Sequence, residues 1–260
     1  MAQGSEKMKK IKIFISILSI CLIVGCAAKK ATAPQDVLSA VFSPQGYLYI
    51  EQDDGYSVCG IDTLGNIINC QPLEIPHSDD FRLIAIDTPN NRYFYAGDDS
   101  VFMFDRTTGL TRPMTRGAFA ENVECARVSP TGEFLAFSSA LWKLGDVSYW
   151  RLVIVDAIEG GIVHYCDSLL APDAFQWINQ NRLGYIILWN AQGKFDTLGA
   201  MFDTHRRVVL STRDRTTDFL QVPCNPVLSY DGVWKVNIID SVATIEQLKQ
   251  LPQPDEEQNP

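Results

Sequence analysis

Carboxylates and tryptophans in short polar stretches are the residues best suited by type to do chemistry. Asp53 and Asp54 form one such stretch, Asp98 and Asp99 another, and Asp79 and Asp80 follow His77 in a third. Trp142 and Trp189 stand in later polar stretches. Exposed aromatics anchor partners, and an acidic rim steers basic ones. This is binding chemistry. Aspartate beside glycine is also ordinary turn chemistry, so the same residues serve equally as loop ends. Catalytic patterns are thin. His77, His164 and His205 have no metal-ligand spacing, and neither a Gly-x-Ser-x-Gly elbow nor a glycine-rich phosphate loop is present. Glu51-Gln52-Asp53-Asp54-Gly55 offers oxygen ligands but lacks the alternation of an EF-type calcium loop. Glycoside hydrolysis needs two facing carboxylates, for which Glu124, Asp173 and Asp87 are the candidates. The expectation is a chain without catalytic residues, metal or cofactor, and not an enzyme.

A scaffold of strands and turns must hold these residues. Ser129-Pro130-Thr131-Gly132 is a tight turn: proline sets φ, and glycine takes the positive φ that most residues avoid. Phe134, Leu135, Ala136 and Phe137 then read as a strand buried on both faces. Related turns begin at Ser43, Thr88, Asn179 and Ser229, so the spacings are 45, 41, 50 and 50 residues. Each unit continues through a second strand and a hairpin, with turns around Gly65, Gly109, Gly160 and the stretch after Phe202. In the third unit a longer loop over residues 138–149 carries Trp142. The fifth unit stops after residues 233–239. Ser241 then caps an expected short helix with Val242, Ile245 and Leu248 on one face, and an acidic, disordered tail runs to Pro260. One small sheet cannot bury both its faces. Four-stranded units at this period bury them against one another as the blades of a β-propeller.

The turn and the apolar strand after it resemble the repeats of the TolB-like, WD-like propeller family. The resemblance covers residues 37–240 and is strongest at 129–137, with 43–50 and 229–236 next. It implies an all-β chain, a propeller of about five four-stranded blades with the last incomplete, and a partner-binding role in a bacterial envelope. The chain has no room for an N-terminal α/β domain and too few blades, so a role in the Tol–Pal system does not carry over. In this arrangement Ser-Pro-x-Gly turns and hairpin turns share one face. Asp53, Asp54, Asp98, Asp99, Trp142 and nearby Trp189 gather on the other with His77, Asp79 and Asp80, and this is the expected partner-binding face. Glu124 reads as a polar residue facing the central channel.

Lys7, Lys9, Lys10 and Lys12 precede an apolar run over residues 13–24, as in a secretory signal. Ile23-Val24-Gly25-Cys26 resembles the lipobox of bacterial lipoproteins, in which the cysteine is acylated, by palmitate among other chains. Cys26 is the expected lipidation site. By resemblance to the sorting pattern of Gram-negative lipoproteins, Ala27 in place of aspartate implies the outer membrane, facing the periplasm; a Gram-positive host would instead imply the outer face of its plasma membrane. The expected organisation is a signal peptide over 1–25, a linker over 26–36, the propeller over 37–240, and the helix and tail over 241–260. The whole chain carries a net charge of −9; removing residues 1–25 takes four lysines and one glutamate and leaves −12. That balance disfavours nucleic acid, and no basic stripe is present. Cys59, Cys70, Cys125, Cys166 and Cys224 remain, an odd number. A two-residue loop at Leu64-Gly65 places Cys59 opposite Cys70; a three-residue loop with a bulge at Gly65 sends them to opposite faces. The sequence thus reads as a lipid-anchored envelope protein whose propeller binds a protein partner as scaffold or assembly factor. A carbohydrate-binding or glycosidase-like five-bladed propeller is the alternative.

Overall fold

The computed structural model describes residues 34–144, 147–191, 194–211, 224, 228–230 and 232–248. The expected signal segment, Cys26 and the acidic tail lie outside them. The described chain is all-β. The first sheet orders β1 (Val37–Phe42), β2 (Leu48–Gln52), β3 (Gly55–Ile61) and β4 (Ile67–Leu73) side by side, antiparallel throughout. The second repeats this with β5 (Arg82–Asp87), β6 (Arg92–Ala96), β7 (Ser100–Asp105) and β8 (Leu110–Arg116). The third holds β9 (Val123–Val128), β10 (Phe134–Leu144), β11 (Val147–Asp156) and β12 (Ile162–Leu169). In the fourth are β13 (Phe175–Asn179), β14 (Arg182–Ala191), β15 (Lys194–Asp203) and β16 (Val208–Ser211); Leu169 opposite Ile187 joins it to the third. A last hairpin pairs β17 (Trp234–Ile239) with β18 (Val242–Gln247), and Leu228 bridges to Lys235.

The apolar runs are buried because sheets stack on sheets. One core cluster joins Tyr49 of the first sheet to Ile86 and Tyr93 of the second. Another joins Phe94 to Val128 and Phe137 of the third, and a further one joins Leu152 and Ile154 to Phe175 and Tyr185 of the fourth. Phe42 and Ile50 of the first sheet share a cluster with Val236 and Ala243 of the last hairpin. Val37 also donates its N–H to the Ser241 carbonyl at 2.9 Å. Each cluster lies between neighbouring sheets, which is the radial stacking of propeller blades. Each fully buried large side chain contributes roughly 1.5–3 kcal/mol relative to exposure.

The serine turns share one hydrogen-bond scheme. Gly46, Gly132 and Gly232 donate N–H to the carbonyls of Ser43, Ser129 and Ser229 at 2.9–3.0 Å. The three serine hydroxyls accept from the N–H of Tyr47, Phe134 and Trp234. All three serines are buried, so the turn satisfies its own polar groups where water is excluded. Asn91 takes the glycine's place in the second sheet, at φ +52, and bonds back to Thr88. Around Gly132 the turn is also a packing site. Arg92 is buried there: its guanidinium bonds Asp87, the Ala157 carbonyl at 3.0 Å and the Gly132 carbonyl at 2.6 Å.

Three expectations are corrected. The helix after Ser241 is strand β18. Asp240 and Ser241 both take positive φ, +50 and +59, and make a two-residue hairpin turn rather than a cap. β-branched Val242, Thr244 and Ile245 suit the strand, with Ala243 facing the core. The loop over residues 138–149 is largely strand: β10 and β11 pair out to Leu144 and Val147, past a bulge at Ala140–Trp142. The hairpin between β3 and β4 has the three-residue loop, with Gly65 at φ +81, yet Cys59 and Cys70 are disulfide-bonded. Asn69, at φ +54, is a second bulge that shifts the ladder from Gly60–Ile68 to Val58–Gln71 and turns Cys70 back toward Cys59.

Candidate functional site

The inner strands of the first three sheets begin around one cleft of about 390 Å³. Leu38, at the start of β1, and Arg82, which opens β5, line it with Val123 and Glu124 of β9. The connection from β4 to β5 adds His77, Asp79 and Asp80, and the β6–β7 turn adds Asp98. Glu51, at the end of β2, forms its floor. Five carboxylates, those of Glu51, Asp79, Asp80, Asp98 and Glu124, thus meet two basic groups, Arg82 and His77. Arg82 is already engaged, donating to the Val123 carbonyl. A second cavity of about 220 Å³ adjoins through Leu38, Arg82 and Glu124, with Ile84 and Ile238 as apolar lining.

Strand register explains the floor. Ser39 of β1 and Tyr56 of β3 flank Glu51 as its direct partners on either side. The Ser39 hydroxyl donates to Oε2, the Tyr56 phenol donates to Oε1 at 2.9 Å, and His77 Nε2 lies 3.7 Å from Oε1. Burial, and then the charge of Glu51, hold the Tyr56 phenol above its ordinary pKa, so it stays a donor. His77 meets the Tyr56 ring edge-on at 5.3 Å. The serine bonds to the carboxylate and not to the histidine, so the grouping is a fixed acceptor rather than an activated hydroxyl.

Of the residues expected on the binding face, His77, Asp79, Asp80 and Asp98 come together in the cleft. Asp53 and Asp54 do not: they are the exposed two-residue turn between Gln52 and Gly55, outside the cleft. Glu51, the first residue of the supposed calcium loop, belongs to β2, and its carboxylate is held by Ser39 and Tyr56. Asp99 lines a different cavity, with Pro76, Phe102 and Arg116. Trp142 is 49 % exposed and stacks on Tyr149 of β11, ring centres 4.0 Å apart, on the projecting part of the β10–β11 hairpin. Trp189 pairs through its backbone with Asp196 in the long β14–β15 hairpin; its side chain lies outside the described residues. Among the carboxylates weighed for glycoside hydrolysis, Glu124 is in the cleft, whereas Asp87 is buried in its ion pair with Arg92. Sequence reading passed over Ser39, Tyr56 and Arg82 and took Glu51 for a loop residue. The alternation of β1, β2 and β3 was the available signal, but it needs the register that only the folded sheet supplies.

No protein-family model and no characterised protein sequence matches the chain. Solved structures do match. Tricorn protease does so at TM-score 0.45 and 12 % identity, over 83 % of this chain and 21 % of that one. The β-propeller domain of the trilobed protease from Pyrococcus furiosus gives 0.41 and 7 %, over 72 % and 59 %. A putative TolB from Agrobacterium tumefaciens gives 0.31 and 14 %, over 84 % and 92 %. The chain spans only about a fifth of the tricorn protease chain. The expectation of a chain that is not an enzyme is withdrawn, because peptidases are among these structures. At these identities and TM-scores the likeness assigns this chain no activity either.

Proposed function

We propose that this chain is an exported lipoprotein, held to a membrane through acylated Cys26, whose propeller docks a basic protein partner as an envelope scaffold or assembly factor. The acidic cleft carries the reading. Its five carboxylates have one imidazole and one already-engaged guanidinium among them. The β10–β11 hairpin, with its Trp142–Tyr149 stack, projects from the same end of the sheets as the cleft. An acidic concavity beside an exposed aromatic pair suits a partner that presents lysine or arginine next to an apolar anchor. Attraction of this kind weakens as salt rises.

A photo-crosslinking residue placed in turn at Trp142, Asp98 and Leu64, in cells of the native host, tests the face. Leu64 is exposed on the hairpin turn at the opposite end of the first sheet. One partner with a basic surface, captured from positions 142 and 98 but not from 64, supports the proposal; equal capture from all three ends it. For the anchor, metabolic labelling with an acyl analogue is expected to be lost in Cys26→Ala.

A further inference from the structure

We propose that Cys125 and Cys224 close into a second intramolecular disulfide as the chain folds, leaving Cys166 as a thiol. Both thiols are free in this structure, as is that of Cys166. Cys125 and Cys224 are buried in one core cluster, between the third and fourth sheets, with Phe175, Leu183 and Tyr185. Alternation along β9 puts Cys125 and Arg127 on one face, and both side chains act on the Cys224 thiol. The Cys224 backbone is fixed as well, its N–H donating to the Asp173 carbonyl at 2.9 Å. Closing the bond therefore joins two residues that already share one packed core cluster.

The oxidant is a small disulfide such as oxidised glutathione. One cysteine thiolate attacks it, forming a mixed disulfide and releasing one glutathione thiolate. The other cysteine thiolate then attacks the protein-side sulfur, forms the Cys125–Cys224 bond and releases the second. The two protein protons end on the two glutathione thiols, and the protein's two electrons reduce the oxidant. Burial raises the Cys224 thiol well above its ordinary pKa, so exchange belongs to the folding chain, before the core closes over the pair. The bond ties the segment before β17 to β9. Its loop is far longer than that of Cys59–Cys70, whose partners are 11 residues apart. In the chain-entropy picture, longer loops constrain the unfolded chain more.

The test is refolding of the reduced, unfolded chain with oxidised and reduced glutathione, then maleimide labelling in denaturant and peptide mapping, with labels counted over the five cysteines from Cys59 to Cys224 and those on Cys21 and Cys26 left out. Wild-type chain is expected to take one label, on Cys166, and to yield a cross-linked Cys125–Cys224 peptide. Cys224→Ala is expected to take two labels, on Cys125 and Cys166. Cys166→Ala leaves the pair untouched and is expected to take none, which keeps the test open should the first variant fold poorly. Three labels on wild type, two on Cys166→Ala, or a map that places Cys166 in a bridge overturns the proposal.

Discussion

The turn at Gly46 and the turn at Gly132 close in the same way, glycine back onto serine, with one more residue before the next strand in the second, and have opposite surroundings. Gly46 sits at φ +81 and Gly132 at φ +76, each closing onto a buried serine. A Cβ on Gly46 would meet nothing within 4 Å. On Gly132 it would lie 2.5 Å from Asp87 Oδ2, 2.8 Å from Asn90 Nδ2 and 2.9 Å from Arg92 Nη2. Gly46 is therefore glycine for its conformation alone. Gly132 is glycine for its conformation and because an ion pair of the second sheet packs against it. One motif thus ends a strand in the first sheet and locks two sheets together in the third.

The largest expected effect comes from removing that ion pair. Arg92→Ala leaves Asp87 buried without its cation, with the Asn90 amide still donating to it, and should cost about 3–5 kcal/mol in urea unfolding. A value near that of a surface substitution would mean the lock carries no load. Gly132→Ala comes next, at roughly 3 kcal/mol, combining left-handed strain with overpacking. In the Arg92→Ala background part of that cost should vanish, because the clashing guanidinium is gone, and a double-mutant cycle reads the difference. Gly46→Ala should cost only about 1 kcal/mol, from backbone strain. Equal losses at Gly46 and Gly132 would erase the contrast.

The smallest effect is a pH dependence of the background. His164 stacks on Phe202 at 4.4 Å and faces the Tyr185 hydroxyl at 3.3 Å, and burial lowers its pKa. The unfolded chain then binds a proton more readily than the folded one, from the ordinary histidine value near 6.5 downward. Stability should fall as pH drops from 7.5 to 5.5, and His164→Phe should flatten that part of the melting curve. The Gly46 and Gly132 variants are therefore best compared at pH 7.5.

The same contrast marks what could be read without coordinates. Ser-Pro-x-Gly at residues 43–46 and 129–132 announces a turn and the strand after it, because local chemistry suffices. That Arg92 reaches from β6 to the Gly132 carbonyl is invisible, because nothing in the spacing of residues 92 and 132 says that two sheets touch there. The cleft behaves alike. His77, Asp79, Asp80 and Asp98 were legible as polar loop residues, whereas Glu51 read as part of a loop and is the end of β2. Asp240-Ser241 misled for a related reason: serine before an apolar run signals a helix cap, but two positive φ values in succession make a hairpin.

The hairpin that carries Cys59 and Cys70 has a residue to spare. Cys59 faces both Asn69 and Cys70, so β4 is one residue longer than its ladder. Deleting Asn69 should leave Gly60 opposite Ile68, Val58 opposite Gln71 and the cysteines still together. Deleting Gln71 instead closes the ladder only by turning Cys70 away from Cys59. Chain length is interchangeable at one position of this hairpin and not at the next but one.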